Sequence, residues 1–333
     1  MIYTDVLRPP APLDATAPAY KDWLHLNVLD AVSGVIGIFN VSLHGPPGDL
    51  RARAIGTALL HVRERGWIGD LEIRGIDEAM LGPSFIGLTK VGLAVVPSPP
   101  TVLASVAGMD GLGSAAITAT AATRPVCIEL PIPFGRGWIS WNAIPLLKLQ
   151  AIVEADGARL DLSQGAAYHD HNWGRWHWGD DVGWEWGCFM AGDGNAAFVF
   201  ARTTDRAHRR LGPAWFSVHA GEFKREFPEA SIACTLDGQF EHPVRRFPGA
   251  LAALHQDRAE PRLPATVLIR VEDGFDRIEI TFRARGAAQV IAADPVVPGY
   301  GFIHEMPGEF VASGRLNGHA IAHSGLAVFE YVS

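Results

Sequence analysis

Residues 165–181 read GAAYHDHNWGRWHWGDD, the densest run of polar and aromatic side chains in the chain. Side chains on a β-strand point alternately to its two faces, so a strand over 167–173 puts Tyr168, Asp170 and Asn172 on one face. His169, His171 and Trp173 then share the other. A hydroxyl, a carboxyl and an amide in a row suit either a solvated face or the wall of a ligand cavity. The tryptophans around them favour the cavity. Seven of the ten tryptophans lie between Trp138 and Trp186, and large amphipathic rings serve both cores and binding sites.

Outward from this stretch, alternation and turn residues dominate. Val35–Leu43, Ala196–Arg202, Ala214–His219, Thr266–Val271 and Arg277–Arg283 are β-rich runs bounded by Gly, Pro, Asp or Asn. Asp273-Gly274 and Asn317-Gly318 each sit between two such runs, the pattern of a hairpin whose turn needs positive φ. Thirty-six glycines and 23 prolines limit long helices. Arg51–Arg65 reads equally as helix or strand, Asp110–Thr123 has few large apolar groups, and Leu146–Gln164 joins two β-rich halves. The expected architecture is all-β, two tandem antiparallel barrels, with residues 1–155 in the first and 156–333, including the 168–174 run, in the second.

Composition narrows the function. With 28 Lys+Arg against 36 Asp+Glu the net charge is −8, which disfavours nucleic acid as a partner. A 48% hydrophobic, 19% charged chain has a large core to bury and is not a disordered one. Three unclustered cysteines, Cys127, Cys188 and Cys234, argue for a reducing, cytoplasmic setting and read as buried thiols. The first 23 residues lack the basic and apolar regions of a secretory signal, and no apolar run is long enough to span a bilayer. There is no G-x-S-x-G elbow, Walker lysine loop or dinucleotide glycine fingerprint, so hydrolase, NTPase and dinucleotide readings fall.

The run YHDHNWG at 168–174, with Gly165 before it and Trp176-His177-Trp178-Gly179 after it, resembles the signature of the hydroxyneurosporene synthase (carotenoid 1,2-hydratase) and AttH-like superfamily. Tyr168, Asp170, Asn172 and Gly174 meet its recurrent Y-x-D-x-N-x-G pattern, and residues 325–330 resemble its last strand. The resemblance implies two tandem lipocalin-like barrels. It also implies cofactor-independent chemistry on a hydrophobic isoprenoid or polyene, begun by protonating a C=C bond, with peripheral membrane contact where the substrate is large. Asp170 is then the acid, kept neutral by burial, with Tyr168 and Asn172 orienting it. Trp141, Trp173, Trp176, Trp178, Trp184 and Trp186 would face the developing cation, at about 0.5–2 kcal/mol per ring, with His171 and Glu185 as further substrate contacts.

Simpler roles exist for each residue. Asp170 caps a turn or pairs with Arg175 in the alternative, and His169 and His171 are structural, since a metal site lacks an evident third ligand. Glu185 either assists Asp170 or forms a salt bridge. At the level of function the alternatives are a pericyclase that folds a polyene into its reactive conformer and a non-catalytic carrier of lipid or pigment.

Overall fold

The computed structural model describes residues 5–11, 14–247 and 262–333, the side chains of 128–130 apart. Among them there is no α-helix, only three 3-10 turns at Ala17–Ala19, Ile76–Glu78 and Glu229–Ser231. The rest is strand and turn, organised as two large sheets. The expectation of an all-β chain in two antiparallel units is met, apart from one short parallel pairing of Arg245–Phe247 with Ala288–Ala293.

In the first sheet, neighbouring hairpins run from Gly66–Gly75 through Arg53–Val62 and Val35–His44 to Tyr20–Asp30. The strand Ala166–Arg175 then lies between Tyr20–Asp30 and the long strand Gly137–Ala155, and the ladder continues through Leu112–Ala121 and Pro100–Met109. The amide of Gly69, on an edge strand, donates to the Asp110 carbonyl at 2.7 Å, so the sheet curls until this edge meets the turn between Pro100–Met109 and Leu112–Ala121. Its concave side is packed with Leu24, Leu26, Phe39, Leu60, Leu93, Val102, Ile117 and Val153. Each large side chain so buried contributes about 1.5–3 kcal/mol.

The second sheet is built around Gly183–Ala191, Ala197–Thr204, Tyr300–Leu316 and His319–Val332. Its core is rich in phenylalanine: Phe189, Phe198, Phe200, Phe216, Phe282, Phe310 and Phe329. It curls too, since Arg202 Nη1 reaches the Cys234 carbonyl, at 3.4 Å, on a strand far along the ladder.

The boundary differs from the expected one. The chain divides after Asp181, not at 155, and residues 292–301 return to the first unit. The reason is strand pairing: Ala166–Arg175 bonds on both sides to strands of the first sheet, so the tryptophan-rich motif belongs there. Residues 146–164 are strand and turn of that sheet rather than a connection. Arg53–Val62 and Leu112–Ala121, ambiguous or apolar-poor in sequence, are strands whose alternate side chains fill the core. Of the cysteines, Cys188 is buried, Cys234 partly so and Cys127 exposed, so one of the three is not the buried thiol expected.

Candidate active site

The register fixes what surrounds Asp170. On one side it faces His25, on the other Ala143, while Asn172 faces Trp23 and Trp141. Directly opposed side chains start about 4.5–5.5 Å apart, so these residues form one patch with Tyr168, which faces Asn27. Asn172 Nδ2 donates to Asp170 Oδ1 at 2.5 Å. Asp170 is only 6% exposed and Tyr168 fully buried. Arg175, the alternative partner for Asp170, turns to the Asp14 carboxylate at 3.6 Å and stacks over the Tyr20 and Trp138 rings.

His25 is fixed as well. Asn40 Nδ2 lies 3.4 Å from His25 Nδ1, and His25 Nε2 lies 2.8 Å from Asn27 Oδ1. Burial pushes the ring down to about 4, so it is neutral: it accepts from Asn40 and donates to Asn27. Ser42 and His44, farther along the same face of the next strand, are 3.0 Å apart. His44 is pushed by burial to about 3, which leaves its Nδ1 to accept from Trp178 Nε1 at 3.4 Å.

Trp176 and Trp178 follow the end of the motif strand. Trp176 is buried, with edge-to-face contacts to Trp23 (5.2 Å), Phe134 (5.8 Å) and Trp178 (6.0 Å). Gly174 makes room for it, as a Cβ there would stand 2.8 Å from the Trp176 ring. Beneath both rings is the buried Lys21, whose Nζ donates to the Trp176 carbonyl (2.8 Å) and the Asp294 carboxylate (2.6 Å). Desolvation lowers the pKa of this lysine, opposed mainly by Asp294.

The opposite face of the motif strand holds a different assembly. Asp5 bridges His169 Nε2 (2.6 Å) and His171 Nδ1 (3.2 Å), and Asp22 meets His171 Nε2 at 2.7 Å. His169 Nδ1 lies 2.7 Å from the His25 carbonyl, and Tyr20 and the Arg8 amide donate to the second Asp22 oxygen. Desolvation disfavours charge on His171, but its two carboxylate partners outweigh it and raise the ring to about 9. Asp5 is pulled well below the usual carboxylate range because the hydrogen bonds and charges of the two histidines together outweigh its own, individually largest, desolvation. His171 and Trp173, expected among the substrate contacts, therefore face away from Asp170, and both nitrogens of His171 are committed. Trp173 packs against His171 (4.9 Å) and under the Arg8 guanidinium (5.1 Å). Among the described residues no group of three or more His, Cys, Asp or Glu is arranged to hold a metal ion.

Asp5 and Asp22 were missed from sequence. Asp22 had a signal: it interrupts the apolar face Tyr20, Leu24, Leu26, Val28, and a carboxylate in such a row needs a buried partner. Asp5 had none.

Three expected contacts lie in the second unit. Trp184 and Trp186 share a face, and Trp184 Nε1 donates to Glu330 Oε2 at 2.7 Å. Burial raises Glu330, against the hydrogen bonds of Trp184 and Glu305. Glu185 points to the opposite face, where Arg202 (Nε 3.1 Å, with Nη2 also in contact) and His208 (Nδ1 2.9 Å) occupy its oxygens. It is thus the salt-bridged carboxylate of the two alternatives.

No family model and no curated protein matches the chain in sequence. Solved structures do match it in fold. An AttH-like protein from Nitrosomonas europaea is 13% identical, with 98% of each chain covered and a TM-score of 0.65. Kievitone hydratase from Nectria haematococca is 12% identical, with 93% of this chain and 88% of that one covered and a TM-score of 0.61. CghA, solved with Sch210972, is 10% identical over 99% and 95% of the two chains, with a TM-score of 0.59. The fold is accordingly the AttH-like lipocalin fold. No helix among the described residues is long and apolar enough to cross a membrane.

Proposed function

We propose that the chain is an enzyme of the hydratase or cyclase kind, adding water or an internal nucleophile across a C=C bond of a hydrophobic isoprenoid or polyene, with Asp170 as the proton donor. The observation that carries this reading is the buried Asp170–Asn172 pair, bordered in register by Trp23 and Trp141. Asn172 donates to Oδ1 and so orients the carboxyl that carries the proton. Transfer to the alkene forms a C–H bond and a carbocation, and the carboxylate left behind keeps its hydrogen bond to Asn172. Water or an internal hydroxyl closes on the cation, and its released proton restores Asp170. The flanking rings supply cation–π attraction during the charged interval. His25, neutral and held on both sides, stands opposite Asp170 without adding a second positive charge. Kinship of fold with kievitone hydratase supports the hydratase reading.

The test is Asp170→Asn against a set of isoprenoid and polyene alkenes in heavy water, with mass spectrometry reading deuterium added to product. Turnover is expected to fall by about 10²–10⁴-fold while ligand binding persists. Full turnover by the variant sinks the mechanism. A modest loss points to a pericyclase, and ligand release unchanged from a purified protein that transforms nothing points to a carrier.

A further inference from the structure

Around Asp170 four strands run side by side: Val35–His44, Tyr20–Asp30, Ala166–Arg175 and Gly137–Ala155. Every residue of Tyr20–Asp30 is buried. In Val35–His44 only Asn40 is partly exposed, in Ala166–Arg175 only Asn172, and within 139–147 only Trp141. The register puts all three on the face of Asp170, since Asn40 stands opposite His25, His25 opposite Asp170, and Asn172 opposite Trp141. Exposure confined to one face, at three residues around a buried carboxyl, marks an opening in the packing through which a ligand reaches the patch.

The row through Asp170 has a direction. Across the four strands it reads Asn40, His25, Asp170, Ala143, polar at one end and apolar at the other. Trp141 extends the apolar end, two residues from Ala143 on the same face. A molecule with its alkene at Asp170 therefore lays hydrocarbon toward Ala143 and Trp141, and whatever it lays over Asn40 must hydrogen-bond, or an amide is desolvated without a partner. The Asn40 carboxamide has two polar ends. One is spent on His25, with Nδ2 3.4 Å from His25 Nδ1, and the other is left for the opening. A hydroxyl both donates and accepts, so it pairs with that end whichever way the amide is turned. Asn40 stands two strands from Asp170, about 10 Å at the usual spacing. In a prenyl alcohol the hydroxyl and the double bond of the next isoprene unit span a comparable length.

We propose that the substrate is an isoprenoid alcohol whose hydroxyl is held by Asn40 while the double bond of its next isoprene unit lies at Asp170. This rests on the reading of Asp170 as the proton donor and adds to it a substrate class and a binding residue. The proton of Asp170 adds to the less substituted carbon of that double bond, water bonds to the tertiary cation, and the proton that water releases returns to Asp170. A hydroxyl tied to Asn40 is out of reach of the cation, so water is the nucleophile.

The experiment offers the full chain geraniol and 2,6-dimethylocta-2,6-diene, the same skeleton without the hydroxyl. Affinity is read from tryptophan fluorescence, in the unsubstituted chain and in Asp170→Asn, so that it needs no turnover. Geraniol is expected to bind about tenfold more tightly than the diene in both. In Asn40→Leu the ratio of the two affinities is expected to fall to about one. In heavy water the unsubstituted chain is expected to place deuterium at geraniol's distal double bond, a reading that needs no variant to fold. No binding of geraniol, equal affinity for the two compounds, a preference that survives in folded Asn40→Leu, or deuterium at the double bond beside the hydroxyl overturns the proposal. The preference for geraniol together with unimpaired turnover in Asp170→Asn overturns the acid assignment instead, so the two failures are told apart.

Discussion

At Gly174 a Cβ would stand 2.2 Å from the Trp138 carbonyl and 2.8 Å from the Trp176 ring, so the last residue of the motif is a steric requirement of this fold. Gly174→Ala is expected to cost about 1–3 kcal/mol, because neither the carbonyl nor the enclosed ring can yield cheaply. Thermal unfolding with near-ultraviolet dichroism of the tryptophans measures it, and an unchanged melting temperature would contradict the packing described. Asp5 makes a second case. Asp5→Ala leaves His169 and His171 buried with one acceptor fewer each, an expected loss of about 3–5 kcal/mol. The face shared by Tyr168, Asp170 and Asn172 was legible in sequence, since period two is a local property of any strand. The partners of His171 were not, because Asp5 and Asp22 lie 166 and 149 residues away.

Among elements, the segment 292–301 shows how one buried charge pair holds a stretch of chain. Asp294 accepts from Lys21 Nζ and from the Trp178 amide, each at 2.6 Å, so it ties the segment to the first strand and to the residues after the motif. Lys21→Met would leave the Asp294 carboxylate buried with its cation gone. Limited proteolysis should then cut within 292–301 faster than in the unsubstituted protein, while equal rates would mean the pair does not anchor it. The two hairpins were readable because their turns carry their own chemistry: Asn317 and Gly318 have φ of +50 and +78, and Gly274 has +65. Arg53–Val62 was ambiguous because Ala, Leu and Arg favour helix locally; only pairing on both sides with Val35–His44 and Gly66–Gly75 makes it a strand.

For the molecule as a whole, buried histidines set the pH range of stability. Burial pushes His25, His44, His219 and His304 down from 6.5 to about 4, 3, 3 and 4. As pH falls below 6.5 the unfolded chain takes up protons at these rings while the folded one does not until near pH 4, so acid lowers stability through that window. His171 has the opposite sign. Its folded value is raised to about 9, so its contribution is complete below 6.5 and is lost as pH climbs through 9. The midpoint of denaturant unfolding should therefore peak near pH 6.5 and decline on both sides; a midpoint still rising between about pH 7 and 9.5 would show that the Asp5–His171–Asp22 network is not charged as described.

The sequence by itself determined what is local: the all-β class, the two-unit plan, the hairpin turns, and the patch of Tyr168, Asp170 and Asn172. These follow from alternation, turn stereochemistry and the 168–174 motif, none of which needs a distant partner. Only the tertiary structure decided where the units divide, that His171 and Trp173 turn away from Asp170, and that Glu185 serves Arg202 and His208 in the second unit. Each of these depends on which strands pair and on which charges meet across 17 to 166 residues of chain, a choice made by burial of the whole sheet and carried by no single stretch of it.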